Sequence, residues 1–344
     1  MAGSARVVIR TPQPVRSLVW AGDELVDWVS GGQRYALDGS HTPRARFFAF
    51  RFDAAVGSTD GTMAVVYERG GTKGLVLQHG EHVREIDRSY YCANRYAYPV
   101  CFWSRGGRHL LVHCPDEYNR LEIEDALTGE RLTPRAEGVE PEDFFHSRLE
   151  VSPGGARLFS AGWVWHPWDA VALYELEEAL REPARLDVPA YPDAPHVGAI
   201  EEASATWQTD ARVILTASGD DSDDESDDDP EAEGELRLRP RGVAVYDVPE
   251  RRCVSACQLD RPAGRVMAVG IEHVLALYEH PRLLRLSDGV ELESWPDLPS
   301  GTEMSSIFRQ DPAPPPMALD AAHRRVAIAR GDEIHLLLLP SDLR

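Results

Sequence analysis

Lysine is almost absent: Lys73 is the one lysine among 36 basic residues. With abundant alanine, glycine and proline, this points to a GC-rich, bacterial coding sequence, an inference from codons and not from physics. Cysteine is also sparse. Cys92, Cys101, Cys114, Cys253 and Cys257 are odd in number and include no C-x-x-C pair, which excludes a disulfide framework and a zinc knuckle and leaves reduced thiols as the expectation. No apolar run approaches the ~20 residues of a membrane span, and MAGSARVVIRTPQP lacks the basic segment and apolar core of a secretory signal. A soluble, cytoplasmic protein is expected.

Positive charge is in deficit as well, with 36 basic against 57 acidic residues and a net charge of −21. Nucleic acids and anionic membranes are bound by basic patches, so neither is expected as a partner. Eleven of the negative charges lie between Asp220 and Glu235, leaving a net −10 for the rest.

Catalytic signatures are missing too. There is no G-x-S-x-G, no H-E-x-x-H and no phosphate-binding G-x-x-x-x-G-K-[ST]; GGTKG around Lys73 reads as a hairpin turn. His109 and His113 share one face of a strand but stand ~13 Å apart at ~3.3 Å per residue, too far to share an ion. His79, Glu81 and His82 in QHGEH could converge at a turn, although a solvated turn is the simpler reading. No cofactor and no metal site are expected.

What the chain does contain is a repeat. At 344 residues it is long for one ordinary core, so it holds either several domains or copies of one unit. The pattern of apolar strand, turn with Gly or Asp, and apolar strand is clearest at Ala54 to Val66, Val100 to Val112 and Leu149 to Ala161. It is weaker at Ser204 to Thr216 and Pro316 to Ala329, and degenerate at Ser17 to Val29 and Arg265 to Tyr278. Seven copies result, or six if Ser17 to Val29 is not one. Several continue into further strands, as in NRLEIEDALTGERL, RGVAVYDVPERRCVSACQL and PRLLRLSDGVELESW.

The SPGG turn at Ser152 to Gly155 and the third-strand endings at Asp125, Asp247 and Asp288 resemble those of the WD40 and YVTN-like β-propeller families. The resemblance implies an all-β chain folded as a single β-propeller over residues 1–344. Such units bury their faces only by stacking in a ring. The last unit, ending in EIHLLLLP, lacks a fourth strand, and RVVIR at Arg6 to Arg10 lacks a partner. The N-terminal strand is therefore expected to pair with the last blade and close the ring, hiding an edge. Two insertions are expected: a short helix at 176–183, from the helix formers and proline stop of LEEALREP, and a disordered acidic loop at 219–235.

In a propeller, the loops between second and third strands and those between blades emerge on one face. Here those loops are the elaborate ones, and long loops on a rigid scaffold are where function concentrates. WVWHPWD carries Trp163, Trp165, His166 and Trp168, three of the chain's eight tryptophans within six positions. Tyr90, Tyr91, Arg95, Tyr96, Tyr118, Asn119 and Arg120 form a second polar and aromatic group. Tryptophan, tyrosine and arginine are favoured at interfaces, yet the same rings serve equally well as packing between blades. The expected function is a non-enzymatic interaction module, a monomeric scaffold or adapter for a protein or peptide. The alternative is a metal-dependent propeller hydrolase or lactonase, in which Glu150, Glu201, Glu202, Asn94 and His146 would reach the central channel.

Overall fold

The computed structural model describes residues 3–343 apart from 45, 137, 139, 166, 193–199, 219–235 and 309–312. β1 (Ala5–Arg10) opens the chain and belongs to the last blade. The first blade is β2 (Val19–Ala21), β3 (Glu24–Asp27) and β4 (Gln33–Tyr35). The second is β5 (Ala54–Gly57), β6 (Met63–Tyr67), β7 (Lys73–Gln78) and β8 (Glu81–Asp87). β9 (Val100–Arg105), β10 (Arg108–His113) and β11 (Glu122–Asp125) make the third, and β12 (Phe144–Val151), β13 (Arg157–Val164) and β14 (Trp168–Glu175) the fourth. The fifth blade is β15 (Glu202–Thr209), β16 (Arg212–Ala217), β17 (Gly242–Asp247) and β18 (Arg252–Gln258). β19 (Val266–Val269), β20 (His273–Ala276), β21 (Arg282–Arg285) and β22 (Glu291–Ser294) form the sixth. β23 (Met317–Asp320), β24 (Arg325–Arg330) and β25 (Glu333–Leu338) complete the seventh. The chain is a seven-bladed β-propeller, and Ser17 to Val29 supplies a true blade.

The strands are apolar on both faces because each blade is sandwiched between two others. In β6, Met63 and Val65 pack toward the third blade while Ala64 and Val66 pack toward the first, so alternate residues serve opposite seams. That is why MAVV is a continuous apolar run, without the alternation of a half-solvated sheet. Blades one, three and four end in single β-bridges instead of a full outer strand, at Tyr35 to His41, Glu124 to Arg131 and Leu173 to Ala190. In the fourth blade the helix α1 (Leu176–Arg181) and a 3-10 turn at Pro183–Leu186 intervene before that bridge, burying Leu176, Ala179 and Leu186 in the seam with the third blade.

The Asp that ends a third strand has a double role. Asp125 accepts the backbone N–H of Leu127 and Thr128 at 3.1 and 2.9 Å, shaping the turn, and pairs with Arg108 on the neighbouring strand at 2.6 Å. Asp247 repeats this with the Glu250 N–H and Arg212. Asp288 caps the same kind of turn through the Val290 N–H.

The ring closes through the seventh blade. β1 pairs antiparallel with β25 over six residues, from Ala5 opposite Leu338 to Arg10 opposite Glu333. Ile9 is 1% exposed and packs with Ile334, Leu336 and Ala327, while Val8 on the other face is 46% exposed. If this strand holds the ring shut, Ile9→Ala lowers the unfolding free energy by about 2 to 4 kcal/mol in urea titrations, whereas Val8→Ala costs less than about 0.5 kcal/mol. Equal effects at the two positions would contradict the closure.

Candidate functional site

The segment leaving the sixth blade does not run directly to the seventh. Ser300 is anchored to its own blade, its Oγ donating to the Leu277 carbonyl at 2.6 Å. Farther along, the Ser306 N–H donates to Asp169 Oδ1 at 2.9 Å, Ile307 bridges to Tyr96, and the Phe308 N–H donates to the Arg95 carbonyl at 2.6 Å. Asp169 belongs to the fourth blade and Tyr96 to the connection between the second and third. In a ring of seven, the fourth blade lies across from the seventh and the connection between the second and third across from the sixth, so residues 300–308 form a strap across the axis on the elaborated face.

Beneath the strap lies a buried polar group. Ser306 Oγ bonds Asp169 and the Gly162 carbonyl, and Arg148 on β12 donates to the Ala203 carbonyl and faces Glu303 of the strap at 3.9 Å. Burial pushes the Asp169 carboxyl up to about 6, against the hydrogen bonds from Ser305 and Ser306 that favour its charged form. Glu150 nearby keeps an exposed surface, yet the protein around it displaces enough water to raise its carboxyl to about 7, while the Trp207 N–H, 3.3 Å away, opposes the shift.

Beside the strap five of the sequence-predicted residues, Tyr91, Tyr96, Tyr118, Trp163 and Trp165, converge on Phe145, a ring not anticipated from the sequence. Phe145 is 1% exposed, and Trp163 stacks on it at 3.7 Å with the rings 9° from parallel. The two are directly opposed across the β12 and β13 ladder, whose register shifts just after Phe145. Gly162 permits the approach: a Cβ there would lie 2.1 Å from the Phe145 carbonyl oxygen and against the Phe144 ring. Tyr118 stacks on Phe145 at 4.2 Å, Tyr96 meets it edge-on at 5.7 Å, and Tyr91 and Trp165 complete the cluster at 5.9 and 6.2 Å.

The cluster has a buried base and an open top. Trp163 and Tyr96 are 3% and 1% exposed, whereas Trp165 and Tyr91 are 52% and 50% exposed and neighbouring Tyr90 reaches 80%. Tyr118 is half-buried and donates from its Oη to Asp143 at 2.7 Å. Trp168 is half-buried at the start of β14, opposite Val164. Arg95 is exposed, Asn119 donates to the Glu142 carbonyl at 3.3 Å, and Arg120 pairs with Glu117 at 3.3 Å. His166 lies outside the described residues, as does the acidic stretch 219–235.

Arg88, which the sequence reading did not single out, organises the loop that carries Tyr90, Tyr91 and Tyr96. Its buried guanidinium donates to the carbonyls of Gly71, Ala97, Arg69, Ala93 and Tyr96 and stacks over the Tyr96 and Tyr98 rings at 4.7 and 4.9 Å. The only hint in the sequence is a basic residue just ahead of a tyrosine-rich loop.

The residues considered for a channel site are dispersed. His146 is buried against Ser160 and Phe144, and burial pushes its ring down to about 3, so it is a neutral core histidine. Glu202 accepts the Val171 N–H at 2.7 Å, Glu201 the Ser218 hydroxyl at 3.1 Å, and Asn94 is exposed. Glu81 of the QHGEH turn is ion-paired with Arg46. Among the described residues no three His, Cys, Asp or Glu side chains are grouped as metal donors. No helix is long and apolar enough to cross a membrane, again among the described residues.

No protein-family model matches the sequence, and no curated protein is similar to it in sequence. Solved structures are similar in fold. U3-55K superposes with a TM-score of 0.58 at 11% identity, covering 98% of this chain and 100% of that one. The β-propeller domain of Cps50 (Swd1) from Myceliophteria thermophila gives 0.59 at 11% identity with the same coverage. A chain of the mitotic checkpoint complex gives 0.55 at 9% identity, covering 97% of this chain and 91% of that one. All three are WD40 β-propellers, and at these identities the likeness is one of fold.

Two outcomes test this geometry. Asp169 binds its proton more tightly folded than unfolded, so its stabilising contribution is full below the unfolded value of 3.8 and is lost as pH rises through about 6. Asp169→Asn keeps the acceptor for Ser306 but cannot ionise. Its stability relative to wild type, read by urea unfolding, rises between about pH 4 and 6; a flat difference would show that Asp169 titrates normally. Arg88→Met leaves buried carbonyls without donors and lowers stability by on the order of 3 kcal/mol, with faster hydrogen exchange across Ser89 to Tyr98.

Proposed function

We propose that this propeller is a non-enzymatic interaction module, a scaffold or adapter that binds a protein or peptide on the face carrying the strap. The contact is made by Trp165, Tyr91 and Tyr90, with Trp168, Tyr118, Arg95, Asn119 and Arg120 at the margin. Trp163, Phe145 and Tyr96 act from below by fixing the rings above them.

One observation carries this reading: half-exposed aromatic rings are stacked on a fully buried aromatic base. An exposed tryptophan on a mobile loop would lose rotamer freedom on binding. One already held by its neighbours loses little, so more of the area it buries is converted into affinity. Aromatic anchors of this kind dominate binding energy at protein interfaces. The charge of −21 favours a protein over a nucleic acid as partner. No disulfide joins the five cysteines, which suits a reducing compartment such as the cytoplasm. The chain of the mitotic checkpoint complex that shares the fold is itself part of a complex, which supports the adapter reading by analogy of frame alone. We propose a monomer as the working unit.

The test is affinity capture with the wild type and a Trp165→Ala, Tyr91→Ala double variant. Both side chains are half-exposed, so the unfolding free energies of the two proteins stay within about 0.5 kcal/mol of each other. Partners recovered specifically by the wild type are lost from the variant, with at least about a tenfold fall in affinity once one is isolated. Recovery of the same partners by both proteins removes this surface from consideration.

A further inference from the structure

Between the first and second blades the rim of the propeller holds a cleft of about 400 Å³ that owes nothing to the aromatic face. Its walls include Trp28, Arg34, Arg44, Arg46, Phe48 and Leu77. A chain of net charge −21 thus gathers three guanidinium groups around one cavity. Like charges held together cost Coulomb energy, and a bound anion offsets that cost.

Among the described residues, their acidic partners are Glu24 and Glu81, both solvent-accessible. Arg34 gives one Nη to Glu24 at 3.0 Å and lies over the Trp28 ring at 5.7 Å. Arg46 gives one Nη to Glu81, while its Nε is buried with no partner among the described residues. Arg44 is fixed by the Ser30 carbonyl at 2.7 Å and by Gln13 at 3.3 Å, both neutral. The Glu24 and Glu81 side chains are 43% and 76% exposed, so water screens both pairs and they compete weakly with an anion in the cleft. A guanidinium has five N–H donors in a planar fork, and these contacts occupy one or two on each.

The arrangement is built into the backbone. Gly31, at φ +94°, packs under the segment that bears the arginines, and a Cβ there would lie 2.0 Å from the Arg46 carbonyl oxygen and 2.8 Å from Arg44 Cγ. Only glycine admits that approach, so the segment carrying Arg44 and Arg46 packs closely against the β3–β4 turn.

We propose that this cleft binds a small phosphorylated organic molecule, its phosphate held by Arg34, Arg44 and Arg46. Planar forks match the oxygen spacing of phosphate, whereas a lone carboxylate would satisfy one guanidinium and leave two unmatched. The volume exceeds that of a phosphate ion and falls in the range of small-ligand pockets, about 300 to 1,000 Å³. Phe48 and Leu77 give the organic remainder an apolar wall.

Calorimetric titration of the full chain with AMP, inorganic phosphate and adenosine, at low and at high salt, tests the assignment. AMP binds more tightly than phosphate, adenosine does not bind, and affinity falls with salt. An Arg34→Gln, Arg46→Gln double variant loses at least about tenfold in AMP affinity. Glu81→Gln, which releases Arg46 without touching the core, gains severalfold and guards against a misfolded arginine variant. Absence of AMP and phosphate binding to the wild type overturns the proposal, as does unchanged affinity in both the double variant and Glu81→Gln. Binding only to vesicles containing phosphatidic acid, with no binding of AMP or phosphate, overturns it too.

Discussion

A sheet of three or four short strands with two apolar faces cannot be stable alone, and everything else in this protein follows from that constraint. Each blade must be covered on both sides, which a linear stack never achieves at its ends. A ring does, provided it is held shut. The ladder between Ala5–Arg10 and Glu333–Leu338 supplies that closure, so the last blade joins the first and last strands. Opening it would expose an unpaired strand edge and two buried seams together.

With the frame fixed, the connections are free to diverge, and those on one face have done so. The strap from the sixth blade crosses the axis and is tied down by Asp169 and by backbone bonds to the Tyr96 region. It brings Ile307 against the aromatic cluster and places Glu303 over Arg148. The aromatic surface is therefore not the property of one loop. It is assembled from the second-to-third connection, the third and fourth blades and the strap, and its top rings keep their places because Phe145 and Trp163 are locked beneath them.

Charge is distributed along the same lines. Arginines recur where a strand end offers an acid, as with Arg108 and Asp125 or Arg212 and Asp247, and these pairs join neighbouring strands of one blade. Arg88 departs from that pattern, being buried among carbonyls with its charge stabilised by five backbone dipoles and two tyrosine faces. Arg44 and Arg46 depart from it too, lining a cavity with Arg34.

The sequence by itself determined the blades, their number to within one, and the closure. Strand runs, Gly and Asp turns and an unpartnered N-terminal strand are local signals, legible wherever residues within about ten positions decide the outcome. It also gave the elaborate face, because loop class follows from strand order. Only the tertiary structure decided which rings are open. Trp163 and Trp165 are two positions apart with the same chemistry, yet one is 3% and the other 52% exposed, because Phe145 from another strand stacks on the first. Arg88, the path of the strap and the arginine cleft were hidden for the same reason. Each depends on groups far apart in the chain, and burial is a property of how such groups meet in space.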